Sequence, residues 1–101
     1  MSVFAISRTF YEDEVRGSVK DLSRKSKDIF RGQNGFRCVQ EYSSRDRNEI
    51  MLIIEWEDES CYRACQMCPQ WGALMPEYNK LMASQKMRME IGLYQDMDQA
   101  N

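Results

Sequence analysis

The chain has 101 residues, of which 43% are hydrophobic and 30% charged, and its fourteen basic and sixteen acidic side chains leave a net charge of −2. That is the length of one domain, with enough apolar content for a core without staples and without the one-sided basic excess of a nucleic-acid binder. It contains no histidine, which excludes Ser-His-Asp and Cys-His nucleophile pairs, the HExxH zinc site and a histidine-ligated haem.

Val3 to Phe10 alternates Val, Phe, Ile and Thr with smaller or polar residues and reads as a first strand. Glu12-Asp13-Glu14 follows where a helix N-terminus favours negative charge. Val15, Val19, Leu22, Ile29 and Phe30 then make one helical stripe. Lys25, Lys27 and Arg31 gather toward its end, and Gly32 with Asn34-Gly35 stops it. Phe36 to Ser43 is a second strand, with Phe36, Cys38, Gln40 and Tyr42 on one side and Arg37, Val39 and Glu41 on the other. The polar run Ser44 to Asn48 is a hairpin connection. Glu49 to Trp56 is apolar on both faces, as in a strand inside a sheet covered on both sides. Asp58 suits the N-cap of a second helix starting at Glu59, which Pro69 divides, Pro76 kinks, and which ends near Met82. Lys86 to Tyr94 closes the pattern, with Met87, Met89, Ile91 and Leu93 facing one way and Arg88, Glu90 and Tyr94 the other.

The order β-α-β-β-α-β is the split βαβ arrangement of ferredoxin-like α+β domains, a four-stranded antiparallel sheet with both helices on one face. The other face is part apolar, and a single chain has no third layer for it, so a homodimer packed sheet against sheet is expected. The domain core spans residues 3–94. The polar tail 95–101 is expected to fray or to reach across to the partner. The longest apolar run, Ile50 to Ile54, is five residues, against the ~20 that span a bilayer. Met1-Ser2-Val3-Phe4 lacks the basic start of a signal peptide. A cytoplasmic protein without membrane or nucleic-acid partners is expected, its four cysteines reduced.

Cys61, Cys65 and Cys68 have the C-x3-C-x2-C spacing that holds an iron–sulfur cluster, with Cys38 available as a fourth ligand. With Ala64 they also fall at i, i+3, i+4 and i+7, the buried stripe of the second helix, where cysteine acts as a small apolar residue. The stripe is the stronger reading, because 101 residues cannot build the large barrel that such a cluster occupies. No metal or cofactor is expected. Eight methionines, five of them between Met67 and Met89, read as adaptable core fillers.

Trp56 ends the third strand within Ile54-Glu55-Trp56-Glu57-Asp58-Glu59, and Cys68-Pro69-Gln70-Trp71 marks the break in the second helix. With the β-α-β-β-α-β order, these segments resemble the antibiotic biosynthesis monooxygenase family of dimeric α+β barrels, over Val3 to Tyr94. The resemblance implies a pocket in each subunit between sheet and helices for a small aromatic or quinone-like molecule. It also implies an oxygenase chemistry without metal or flavin, in which the deprotonated substrate reduces oxygen and the pocket orients it and stabilises the anion. Phe4, Ile6, Met67, Trp71 and Met75 are the candidate walls, Arg8, Tyr62 and Tyr78 the donors, and Cys65 a further lining residue. Trp71 and Tyr78 are the candidate catalytic pair. Arg8 has an alternative, an ion pair with Glu90 across neighbouring strands.

The chain departs from the family's patterns. Many members carry histidine where Cys65 stands. The haem-degrading branch has tryptophan, histidine and asparagine where this chain has Cys65, Met75 and Ser7, so haem degradation is not expected. No helix-two asparagine precedes Trp71, as it does in members that oxidise polyketides. Two readings therefore stand: a cofactor-independent monooxygenase, with Trp71 and Tyr78 positioning the substrate, and a non-catalytic dimer that binds or senses a small apolar molecule.

Overall fold

The computed structural model describes residues 1–99. The strand β1 (Val3–Tyr11) leads through a 3-10 turn (Asp13–Val15) into α1 (Arg16–Arg31). Next come β2 (Phe36–Ser43), β3 (Glu49–Trp56), α2 (Glu59–Gln66), α3 (Pro69–Ala83), β4 (Met87–Tyr94) and a final 3-10 turn (Met97–Gln99). The strands form one antiparallel sheet in the order β2-β3-β1-β4, the ferredoxin-like arrangement. Of the tail, residues 100 and 101 lie outside the described residues.

Register divides the sheet into two faces. Ile6 pairs with Ile53 and Gly92, and Arg8 with Met51 and Glu90, on the face turned away from the helices. The helix-facing rows join Ala5 to Ile54 and Leu93, Ser7 to Leu52 and Ile91, and Thr9 to Ile50 and Met89. Side chains alternate with period two, so these rows follow from the pairing alone. The buried core lies between them and the helices, and includes Val19, Leu22, Phe30, Leu52, Ile54, Trp56, Leu74, Tyr78 and Met87.

The acids before α1 do not cap it directly. Asp13 starts the preceding 3-10 turn, and its Oδ1 accepts hydrogen bonds from Arg16 and Asn48 at 2.8 and 2.9 Å. The helical stripe of α1 is buried at Val19, Leu22 and Phe30, together with Ser23 and Ser26. Pro69 opens α3 at a first-turn position, where its missing N–H costs nothing. Pro76 lies inside α3 without ending it.

Two sequence readings need correction. An irregularity between Phe36 and Cys38 shifts the β2 register, so Phe36 pairs with Trp56 on the helix side while Cys38, Gln40 and Tyr42 face away. The cysteine stripe is not uniformly buried: Cys65 is buried, Cys61 and Cys68 are half-buried and Ala64 is exposed. The helix stops between Gln66 and Pro69, so a pattern counted across that break does not stay on one face.

Asp58 is the N-cap of α2. Its Oδ1 accepts the Ser60 hydroxyl at 2.6 Å and the Cys61 backbone N–H at 3.0 Å. These donors, the Ser60 hydroxyl foremost, hold its carboxyl at a pKa of about 2. The unfolded value is near 3.9, so the folded form binds the proton more weakly. Its stabilisation is complete above about pH 4 and is lost as pH falls toward 2. Urea midpoints recorded from pH 5 to 2 are expected to fall less steeply for Asp58→Asn, which keeps an acceptor but has no charge to lose.

Candidate functional site

A cavity of about 70 Å³ lies between the sheet and the helices, several times the ~10–15 Å³ that one water needs. Its floor is Ala5, Ser7 and Thr9 of β1, Ile50, Leu52, Ile54 and Trp56 of β3, and Met87, Met89 and Ile91 of β4. Its roof is Val19, Leu22, Ser23 and Phe30 of α1, Tyr62, Cys65 and Gln66 of α2, and Trp71 and Tyr78 of α3. The hollow follows from side-chain size, because along the cavity β1 turns only the small Ala5, Ser7 and Thr9 toward the helices, its larger inward residues Val3 and Tyr11 lying at the two ends of the strand. At the rim, Ile91 is 56% exposed, and the Gln66 side chain donates to the Tyr62 hydroxyl at 2.8 Å.

The aromatic wall is continuous. Trp71 stacks at a tilt on Phe30, with centroids 5.4 Å apart, and on Tyr78 at 5.8 Å. Trp56 meets Phe30 and Phe36 edge to face at 6.1 and 5.9 Å. The Tyr78 hydroxyl is within 2.6 Å of Ser26 Oγ, a buried pair that fastens α3 to α1.

Among the described residues no charged side chain lines this cavity. Its titratable groups are held neutral: burial pushes the Cys65 thiol up to about 12 and raises the Tyr62 and Tyr78 phenols. None of them is a base at neutral pH. A ligand that ionises here must be acidic in its own right, or lose its proton to water.

Of the candidate residues, Tyr62, Cys65, Trp71 and Tyr78 lie around the cavity. Phe4, Ile6 and Arg8 do not, since strand alternation puts them on the outer face. There the Arg8 guanidinium bonds Glu49 through Nε at 2.8 Å and lies 3.7 Å from Glu90. The buried Glu49 carboxylate also accepts from Arg47 at 2.8 Å, and its pKa is lowered, mainly by Arg8. Met67, 86% exposed at the α2–α3 break, and the half-buried Met75 are not part of the lining either.

Sequence reasoning did not single out Ser7, Thr9, Ser23, Trp56 or Gln66 as lining residues. The Arg8–Glu90 pairing was the available signal: it ties one parity of β1 to the charged parity of β4, and so sends Ala5, Ser7 and Thr9 to the helix side. Cys61, Cys65 and Cys68 do not converge on a common centre. Among the described residues no group of three or more His, Cys, Asp or Glu is placed to hold a metal ion.

A wider open groove of about 650 Å³ runs from the start of α1 to the β2–β3 hairpin. Its lining is largely polar, and the Arg16 guanidinium within it is bonded to Asp13 and Asn48. The aromatic cavity is the better candidate. Among the described residues no helix is long and apolar enough to cross a membrane.

Comparison with solved structures shows that this ferredoxin-like sheet roofed by helices is the fold of proteins described as antibiotic biosynthesis monooxygenases. SnoaB, a cofactor-independent oxygenase from Streptomyces nogalater, superposes with a TM-score of 0.78 at 21% identity, covering 94% of this chain and 92% of that one. A protein described as antibiotic biosynthesis monooxygenase superposes at 0.76 with 15% identity, covering 94% and 98%. Rv0793 from Mycobacterium tuberculosis matches over 100% of both chains, with a TM-score of 0.80 and 16% identity. No family model matches the sequence. No curated protein matches it significantly. The chain therefore has a monooxygenase-like fold, carried by a sequence far from those neighbours.

Proposed function

We propose that this chain is a cofactor-independent monooxygenase acting on a small aromatic or quinol-type metabolite bound in the cavity between sheet and helices. The carrying observation is the aromatic cavity walled by Phe30, Trp71 and Tyr78, in a fold shared with an oxygenase described as cofactor-independent. Trp71 offers its ring as the stacking face that orients the substrate, and Tyr78, anchored by Ser26, holds that ring in place. The working form in this reading is a homodimer joined through the outer sheet faces. A cytoplasmic location suits its four free thiols.

One observation favours a second reading, a non-catalytic dimer that binds the same class of molecule: every titratable group lining the cavity is held neutral. Oxygen uptake with a panel of quinols separates the two. The oxygenase reading expects turnover that falls about tenfold or more in Trp71→Ala, with the far-ultraviolet circular dichroism unchanged. Saturable binding without oxygen uptake supports the binder, and absence of both removes the cavity as a site.

A further inference from the structure

Trp56 is 1% exposed and lines the cavity. Its Nε1 is the one buried side-chain polar atom without a hydrogen-bond partner among the described residues. A buried N–H left unpaired costs free energy, and native proteins rarely leave one so. Among the other polar side chains of the lining, the Tyr78 hydroxyl has Ser26, the Tyr62 hydroxyl has Gln66 and the Ser23 hydroxyl has Glu41. The indole is also held still, with Phe30 and Phe36 against it at 81° and 79°. A rigid, desolvated donor beside an apolar hollow is the arrangement that selects a ligand by one well-placed acceptor.

We propose that the Trp56 indole N–H is the ligand-recognition donor of this cavity, pairing with a carbonyl or phenolic oxygen of a neutral, flat guest. The proposal rests on the cavity being the binding site, as argued above, and adds which atom reads the ligand. It also restricts the class. With no cation among the described lining residues, a carboxylate or phosphate would enter unpaired at high cost, whereas a neutral carbonyl exchanges its water partner for an N–H that has no other. Specificity is then strong against analogues lacking that oxygen, because the donor stays unpaired with them.

The test uses the whole chain labelled with ¹⁵N at its two tryptophan indoles, with Trp71→Phe assigning the remaining signal to Trp56. Acetophenone and ethylbenzene are the probes, matched in size and shape, one with a carbonyl oxygen and one without. Methyl resonances of Leu52 and Ile54, which line the cavity, report binding independently of the indole. The expected result is saturable methyl shifts with both probes and a downfield move of the Trp56 indole proton with acetophenone alone. Acetophenone is expected to bind about tenfold more tightly, the worth of one hydrogen bond to a buried donor. Trp56→Phe should erase that preference while ethylbenzene still binds. Should that variant fail to fold, the indole shift of the unaltered protein decides. Methyl shifts with acetophenone and an unmoved Trp56 indole would overturn the donor assignment and leave the cavity as the site. No methyl shift with either probe would overturn both.

Discussion

Gly35→Ala is expected to destabilise the fold by about 2–5 kcal/mol, the sum of two costs of separate origin. Gly35 has φ of +80°, in the left-handed region, where an L side chain costs about 1–2 kcal/mol. A methyl group there would also sit 2.7 Å from Cys61 Cβ and closer still to its Sγ. Overpacking of that kind costs about 1–3 kcal/mol. Neither neighbour yields cheaply, because Cys61 belongs to the first turn of α2 and Gly35 O accepts the Glu57 N–H at 2.7 Å. That bond ties the turn before β2 to the junction of β3 and α2, beside Trp56. Against a typical stability of roughly 5–15 kcal/mol the loss is large, and urea denaturation measures it directly. Cys61→Ala in the same chain removes the thiol and is expected to restore part of the steric loss, leaving the backbone cost in place. Because α2 carries Tyr62 and Cys65, the single variant should weaken ligand binding as well.

The elements were legible because their signals are local. Alternation in β1 and β4, the α1 stripe, Asp58 before α2 and Pro69 at the helix break each depend on neighbours within one or two turns. The site was half legible. Tyr62, Cys65, Trp71 and Tyr78 lie on helices whose inward face the sequence marks, and they do meet at the cavity. Phe4, Ile6 and Arg8 fall on the opposite side because period two says which residues share a face but not which face the helices cover. Both parities of β1 carry apolar residues, and the bulkier set reads as the wall. A cavity is made by what is small, so Ala5, Ser7 and Thr9 mark it more truly than Phe4 and Ile6. Phe36 departs from its expected face for another reason: a register irregularity reverses the parity of a strand, and no residue type between Phe36 and Cys38 announces it. The unpaired Nε1 of Trp56 depends on where every other acceptor lies, which local pattern does not encode.

Ile53→Arg is expected to turn the proposed homodimer into a monomer. Ile53 and its partner Ile6 occupy the middle of the outer face, flanked by Gln40 and Gly92 in the same row. On that face Tyr42 and Tyr94 are 53% and 56% exposed, more apolar surface than a strand turned to water ordinarily carries. Four strands of about eight residues present roughly 500 Å² in projection, so two copies face to face bury on the order of 1,000 Å², the lower bound for a specific interface. Charge does not oppose the pairing, since Arg8, Arg47 and Arg88 at this surface are balanced by Glu49, Glu55 and Glu90. An arginine at the centre of such a contact would be buried without a partner in both copies. That penalty of several kcal/mol should raise the dissociation constant at least about 100-fold. Ile53 points away from the helices and the cavity, so the variant should keep its circular dichroism and its ligand binding. Sedimentation velocity at micromolar concentration reads the change. An unaltered chain that sediments as a monomer would remove the dimer from the proposed function, and an Ile53→Arg chain that still sediments as a dimer would move the interface to another surface.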